Sequence, residues 1–524
     1  VGAGEQIGRV GLADLLGAFS LATDLGLGQP MEHVLRSWWI AERLGARLGI
    51  DDAERADLYY TAVLAWVGCV ADTPEVATWF GDDIAFRADS FGVDFAGLPA
   101  MAFLVRHAGV GSSPWHRLGR ATTLVATGAR GVERGLVSHC TSTSTMAERL
   151  GLGPRVGDGL RQFFSRWDGS GVPDGVGGEQ IERTMRLVHL ADVVEVYHRT
   201  AGVDAAVAVA RARRGTKFDP ALVDLFCAVA PELLADLTED LDLGAVIAAD
   251  PVLARPLAER DLDDALEVVA DFTDLRSSFR AGHSRAVARL AGAAADAAGL
   301  PDTDVAAVRR AGLLHDVGLH GVPASILDKP GPLTATESER MRAHSYLTER
   351  VLARPPALAR VAGIASLTHE RLDGSGYHRG LSGPAIPATA RVLAAADAFQ
   401  AMTEPRPHRP ALSARAATAA LRDDARAGRL AADAVDAVLT AAGAARPRRR
   451  TGPAGLTPRE VEVLVLIARG SSTRQVARRL GITPRTAGTH IERIYTKTGV
   501  STRSGAALVA VAHGLLDTLE PLDP

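Results

Sequence analysis

The sequence predicts an all-α chain in which two tandem helical domains precede a short four-helix module. Three observations carry this expectation. Apolar residues recur at helical spacing, as in Val287, Leu290 and Ala294 or Leu358, Val361, Ala362 and Ala365, and no convincing run alternates as a strand would. The chain also repeats itself. Residues 33–68 lie over 283–318 at a constant offset of 250, pairing His33 with His283, Gly49 with Gly299, and TAVLAWVG (61–68) with AGLLHDVG (311–318). Finally, 524 residues exceed one ordinary core and suggest about three domains.

The two copies differ by an insertion. Further along, the offset falls to 205, pairing RWDGSGVPDGVGGEQI (166–181) with RLDGSGYHRGLSGPAI (371–386), His139 with His344 and Asp192 with Asp397. The first copy, 1–232, therefore carries an insert at about 69–130. An acidic stretch broken by Pro231, Pro251 and Pro256 is expected to form a linker over 233–270, and the second copy spans 271–445. A basic Pro/Gly-rich hinge, 446–455, leads to the last module, 456–524.

Composition narrows the function classes. With 47% hydrophobic and 23% charged residues and a net charge of −4, the chain is expected to be globular. No apolar run approaches the ~18 residues of a membrane span, and the first residues do not read as a signal peptide, so a cytoplasmic protein without membrane contact is expected. Cys69, Cys140 and Cys227 are odd in number and widely spaced, which argues for free thiols. Residues 446–524 hold 13 Arg or Lys against 6 Asp or Glu, a basic tail on an acidic body, as nucleic-acid modules have.

In that tail, Thr457 can cap a helix with Pro458 at its first position and Glu460 reaching back, and Gly470 closes it. Ser472 and Gly481 bound a second helix from about Thr473 to Leu480. Thr483-Pro484 opens a third that ends at about Thr498 before Gly499. The short turn between the second and third makes a helix-turn-helix. On the third helix Ala487, Ile491, Ile494 and Tyr495 form the inward stripe, leaving Arg485, Thr489, Arg493 and Lys497 outward, where they can meet base edges or phosphates. Arg459, Arg474, Arg478 and Arg503 would neutralise phosphates around it.

This stretch resembles the LuxR-type family from end to end, through TPRE, the Thr486 and His490 positions of the third helix, and Gly499-Val500 with Arg503. The resemblance implies a four-helix domain that binds double-stranded DNA as a homodimer. It places Arg485, Thr489, His490, Arg493, Lys497 and Arg503 at the DNA, with the last helix, about Ser504 to Leu516, at the dimer contact.

The second copy carries ionisable groups where apolar ones are expected: His283, His315, His344, His369 and Asp397, each read as lying on the buried face of a different helix. Burying so many polar groups is costly unless they satisfy one another, and a divalent cation is the usual reason for such convergence. In the adjacent pair His315-Asp316, the carboxylate can bridge two cations. Imidazole with carboxylate suits Fe, Mn, Zn or Ni.

Region 271–445 resembles the HD-GYP branch of the HD-domain metal-dependent phosphohydrolases, through GHSRAVARLA, AGLLHDVGLHGVPASILDKPGPLT, the His344 helix and THERLDGSGYHRGLSGPAIPATARVLAAADAFQAMTEPRPHRP. The resemblance implies that His283, His315, Asp316 and Asp397 hold one metal, that Asp316 bridges to a second held by His344 and His369, and that His315 and Asp316 serve hydrolysis of a phosphodiester, typically in a cyclic dinucleotide. Three positions depart from the family pattern. Leu319 replaces a lysine, Thr368 replaces the first of two successive His, and the signature reads Gly376-Tyr377-His378. Arg406 and Arg409 remain as partners for the substrate phosphate.

The first copy keeps His33, His139 and Asp192 but has Ala65-Trp66 for His315-Asp316 and Phe164 for His369. Trp cannot bridge cations, so this copy is read as non-catalytic, its retained His residues structural and its insert a means of sensing a small molecule or pairing domains. The whole reads as a DNA-binding transcriptional regulator of the LuxR type carrying an HD-GYP-like phosphohydrolase or sensor domain. The alternative is an active metal-dependent cyclic-dinucleotide phosphodiesterase with an accessory DNA-binding tail.

Overall fold

The computed structural model describes residues 10–94, 97–110, 113–126, 130–237, 242–444 and 454–516. Helices dominate, and the described residues contain only isolated β-bridges and no strand. The chain divides into two compact units, Val1–Ala265 and Leu266–Pro524. Among the described residues, no helix is long and apolar enough to cross a membrane. Cys69, Cys140 and Cys227 are free thiols, the first two buried.

The duplication is visible in the order of elements. In the second unit the helices His283–Ala297 and Asp302–Leu314 are followed by a 3₁₀ turn, Val317–Gly321. In the first unit the counterparts are His33–Arg47, Asp52–Leu64 and Val67–Val70. The central helix of the second copy, Ala388–Thr403, is buried along most of its length through Ala390, Val392, Leu393, Ala394, Ala395, Ala396 and Phe399. The alanines among them let neighbours approach closely. Its counterpart begins at Arg183 and is buried at Met185 and from Leu187 to Glu195 before a break in helical geometry at Gly202.

Local sequence sets the ends of these elements. Thr334 and Glu337 form a reciprocal cap on Ala335–Leu352, the helix that carries His344, with Thr334 N donating to Glu337 Oε2 at 2.7 Å. In the tail, Thr457 with Glu460 and Ser472 with Gln475 form the same cap on Pro458–Ala468 and Thr473–Arg479. Thr483 caps Pro484–Thr498, which ends at Gly499 with φ 69°, and Thr502 caps Arg503–Ala512. The last helix thus stops short of Leu516.

The expected linker differs from expectation, and the insert has a core of its own. Residues 233–270 hold the helices Leu243–Ala249 and Glu259–Asp274, and Leu243 and Ile247 are buried. The prolines there bound elements rather than marking loose chain, and Pro231 lies inside the helix Pro220–Ala235. The insert is also folded: the helices Thr73–Phe80, Gly97–His107 and Pro114–Ala126 share a small core of Phe80, Phe103, Leu104 and Leu124. Of the expected hinge at 446–455, only 454 and 455 lie within the described residues.

A glycine fixes the approach of the 3₁₀ turn to the next helix in both copies. A Cβ on Gly318 would lie 2.0 Å from the His344 carbonyl oxygen and 2.6 Å from Thr348 N, and one on Gly68 would lie 2.5 Å from the His139 carbonyl oxygen. Backbone atoms cannot yield as a flexible side chain can. Gly318→Ala is therefore expected to destabilise the second unit by about 1–3 kcal/mol, the usual cost of overpacking. Gly363→Ala, on the open face of a helix where a new Cβ meets nothing within 4 Å, should be neutral or gain up to about 1 kcal/mol. Urea unfolding of the two variants checks both.

Candidate metal centre and nucleic-acid interface

Six predicted side chains of the second copy converge into two groups of three. One holds His283, His315 and Asp397, the other Asp316, His344 and His369, and within each the nearest ligand atoms all lie within 4.8 Å of one another. Asp316 faces both. Its Oδ2 is 3.2 Å from His315 Nε2 and 3.8 Å from His283 Nε2, while its Oδ1 is 3.9 Å from His344 Nε2. Asp397 Oδ1 lies 3.2 Å from His283 Nε2 and 3.6 Å from His315 Nε2.

These groups do not all sit on helices. His283, His344 and Asp397 do, but His315 follows the last residue of Asp302–Leu314, Asp316 precedes the 3₁₀ turn, and His369 lies in the turn beyond Ala359–Ala365. Chain ends reach a shared point from several directions more easily than one helical face can.

Hydrogen bonds orient the rings. His315 Nδ1 donates to Gly312 O at 2.9 Å and His344 Nδ1 to Met341 O at 2.6 Å, which leaves each Nε2 with its lone pair toward the cluster. His283 Nδ1 donates to Glu404 Oε2 at 2.8 Å. The Nε2 atoms of His283 and His315 are buried without a hydrogen bond of good geometry, as suits atoms whose partner is a cation. Burial pushes the His344 imidazole down to about 4 and His369 well below its ordinary range, so both are neutral as ligands must be. Burial opposes the charge on Asp397, yet the close imidazoles of His283 and His315 hold it well below the usual carboxylate range. The donor set fits a pair of divalent cations.

The departures from the family pattern have physical consequences. Leu319 is buried in an apolar cluster with Val322 and Ile326, so no cation stands there. Thr368 donates its hydroxyl to Ala365 O at 2.8 Å and is turned from the cluster. Tyr377 stacks on His369 with centroids 5.0 Å apart, while His378 is held by Glu349 at 2.8 Å. Arg409 is committed to the carbonyls of Ala401, Met402, Glu404 and Pro410, and Arg406 to Phe279 O and the Glu404 carboxylate. Sequence reasoning missed two residues here: Glu404, the partner of His283, and Arg280, which forms an ion pair with Asp316. Arg280 stands three residues before His283, a local signal that could have found it. Glu404 had no local signal.

In the tail, Ala487, Ile491 and Ile494 are buried and Tyr495 is half-buried, while Arg485, Thr489 and Arg493 are exposed. His490 is half-buried. Lys497 does not stand free for DNA, because its Nζ donates to Glu460 Oε2 at 2.7 Å and to Gly455 O at 3.2 Å. Arg503 donates to Ser471 O at 2.5 Å and Thr473 Oγ1 at 3.3 Å, tying the last helix to the start of the second.

The matching cavity of the first copy is filled. Trp66 Nε1 donates to Asp192 Oδ1 at 2.7 Å, and Phe163 stacks on His139 with centroids 5.3 Å apart. His33 donates from Nδ1 to Glu195 Oε2 at 2.6 Å and from Nε2 to Asp192 Oδ1 at 3.2 Å. Cys69, Asp72 and His139 also come within ligand distance of one another, but Arg87 donates to Asp72 Oδ1 and Cys69 O, each at 2.7 Å, so a guanidinium already supplies the positive charge.

Comparison with known proteins agrees with this division. Residues 267–433 match the HD domain family, and residues 454–510 match the bacterial regulatory proteins of the luxR family. The chain is 30% identical over 405 residues to the 3′3′-cGAMP-specific phosphodiesterase 3 of Vibrio cholerae, covering 76% of this chain and 88% of that one. It is 34% identical over 197 residues to phosphodiesterase 1 of the same specificity and organism, covering 38% of this chain and 46% of that one. A crystal structure of a cyclic GMP-AMP specific phosphodiesterase from V. cholerae superposes with a TM-score of 0.59 and 27% identity, covering 84% of this chain and 99% of that one.

The charge on His33 generates a prediction. Burial opposes it, but the bonds to Asp192 and Glu195 outweigh burial and raise the imidazole from 6.5 to about 10. A raised value stabilises the fold fully below pH 6.5, and that stabilisation fades as pH rises to about 10. The advantage of wild type over His33→Gln in unfolding free energy should therefore shrink by about 1.4 kcal/mol per pH unit across that window. A difference independent of pH would rule out the imidazolium.

Proposed function

The chain belongs to the HD-GYP family and ends in a LuxR-family DNA-binding domain, and on that premise we propose that it is a transcriptional regulator whose second helical domain binds a cyclic dinucleotide at a two-metal phosphodiesterase site. What carries this reading is Asp316, whose two carboxylate oxygens face the two ligand groups. His283, His315 and Asp397 would hold one divalent transition metal, His344 and His369 the other, with Asp316 shared. Such cations supply Lewis acidity, activating water and screening the charge that builds on the phosphoryl oxygens.

The chain's own residues prepare that site. Gly312 and Met341 carbonyls fix the ring orientations of His315 and His344, and Glu404 does so for His283. Arg280 lies where a substrate phosphate would approach Asp316, and it offsets the cation lost at Leu319. Arg406, near His283 and Glu404, is the remaining phosphate partner, while Arg409 supports the loop.

In the tail, Arg485, Thr489 and Arg493 would enter the major groove with His490 beside them, and Arg503 and Lys497 would hold the frame of the module. The family resemblance supports a homodimer paired through Arg503–Ala512. A second reading, an enzyme whose DNA-binding tail only localises it, is favoured by the complete pair of ligand groups. It differs in one outcome: regulation would follow catalytic turnover rather than occupancy.

Purified wild-type protein is expected to hold about two metal equivalents by elemental analysis, and Asp316→Asn fewer. The variant should lose hydrolysis of a cyclic dinucleotide by more than about a hundredfold, since even residues behind the ligands cost 10–100-fold at such sites. Full metal content in the variant would refute the shared carboxylate.

For the tail, Arg485→Ala with Arg493→Ala should weaken duplex binding and reduce the slope of log affinity against log salt by about two, one for each cation withdrawn from the phosphates. An unchanged slope in fluorescence anisotropy would remove both residues from the interface.

A further inference from the structure

One segment, Arg276–His283, serves both the metal centre and the DNA-binding module. Toward the centre, Arg280 forms its ion pair with Asp316, and His283 begins its helix among the ligands. Toward the module, a Cβ on Gly470 would lie 2.9 Å from Ser278 Oγ and 3.6 Å from the Phe279 ring. A Cβ on Gly282 would lie 3.5 Å from Leu516 Cβ and 3.8 Å from Val511 Cγ2. Gly282 is held at φ +78° and Gly470 at φ +82°, so both approaches use backbone that tolerates no side chain easily.

Polar interactions run along the same route. Arg469, next to Gly470, donates to Leu516 O at 3.4 Å and feels the charge of Glu404, the carboxylate that accepts from His283. Arg406 donates to Phe279 O at 2.9 Å and lies 3.1 Å from Glu404 Oε2. The module therefore rests on the stretch of chain that delivers Arg280 and His283 to the site.

We propose that this segment couples the site to the module: a divalent cation taken by Asp316 competes with Arg280 for its carboxylate, and the displaced Arg280 loosens Ser278–Gly282 and releases the module. The proposal rests on the reading of Asp316 as a metal ligand. Two positive groups cannot share one buried oxygen without strong repulsion, so uptake of the cation and the Arg280 pair oppose each other. Val511 lies in the last turn of Arg503–Ala512 and Leu516 in the turn beyond it, within the stretch that the family resemblance assigns to pairing two copies. Docking and pairing thus compete for one surface, and the coupling is reciprocal: DNA that captures the released, paired module must tighten cation binding.

The test uses the full chain with Mn²⁺ as probe. Amide exchange in 503–516 and 276–283 should rise on Mn²⁺ addition, and affinity for a labelled random-sequence duplex at low ionic strength should tighten about tenfold, a usual size for coupling between sites. Ser278→Leu, which crowds Gly470 and so breaks docking without adding charge, should bind duplex tightly with or without Mn²⁺. Arg280→Gln should take up Mn²⁺ yet leave duplex affinity unresponsive to it. If wild type takes up Mn²⁺ by elemental analysis but neither exchange nor duplex affinity changes, the coupling is overturned and the metal reading stands. If no Mn²⁺ is taken up, both fall.

Discussion

A carboxylate on the central helix of each copy, Asp192 in the first and Asp397 in the second, is buried and has to be met by positive charge or by donors. The second copy brings two imidazoles within 3.2 and 3.6 Å of Asp397 and keeps their Nε2 atoms without good hydrogen bonds, an arrangement that a cation completes. The first copy meets the same need from within. An imidazolium at His33 bridges Asp192 and Glu195, and Trp66 gives Asp192 a further donor. An unpaired charge in that position would cost several kcal/mol, so each copy had to keep one solution or the other.

The insertion and the loss of ligands in the first copy belong together. The insert enters directly after Gly68, beside the cavity, and folds back onto it. Phe91 packs edge-on to His33 at 5.2 Å and against Trp66 at 5.0 Å, and Arg87 reaches Asp72 and Cys69 O. Once aromatic rings occupy the place of a cation and its water, the polar residues that remain are selected by packing alone. His139 shows this: its Nε2 donates to Ala65 O at 2.7 Å, and burial lowers its imidazole to about 4. The ring is an ordinary core group at the sequence position that matches His344, bonded through the other nitrogen.

Much of this was legible in the sequence because the signals were either repeated or local. The offsets of 250 and 205 placed His283, His344 and Asp397 by reference to a second copy, and capping pairs such as Thr457 with Glu460 fixed helix starts to the residue. What escaped was long-range and unpatterned. Glu404 meets His283 across 121 positions, and Glu195 meets His33 across 162. The prolines of 233–270 suggested loose chain, yet Pro256 pairs with Gly11 in a β-bridge and the helix Leu243–Ala249 buries Leu243 and Ile247. A proline marks where a helix cannot continue, not whether the flanking chain is packed.

The DNA-binding module shows why a count of cations overstates a reading face. Helical phase puts Lys497 on the face of Arg485 and Arg493, and the family resemblance places Arg503, at the start of the next helix, at the DNA with them. Their charges are nevertheless engaged: Lys497 closes the first helix onto the third through Glu460, and Arg503 closes the fourth onto the second through Ser471 and Thr473. A guanidinium bound to a carbonyl loses that bond if it turns to a phosphate, so its net gain from DNA is smaller than that of an exposed one. Arg485 and Arg493 carry no such debt. Under the proposed reading, sequence-specific contact would therefore concentrate on the N-terminal half and middle of Pro484–Thr498, while the remaining cations keep that helix at a fixed angle to its neighbours, which any groove-reading helix requires.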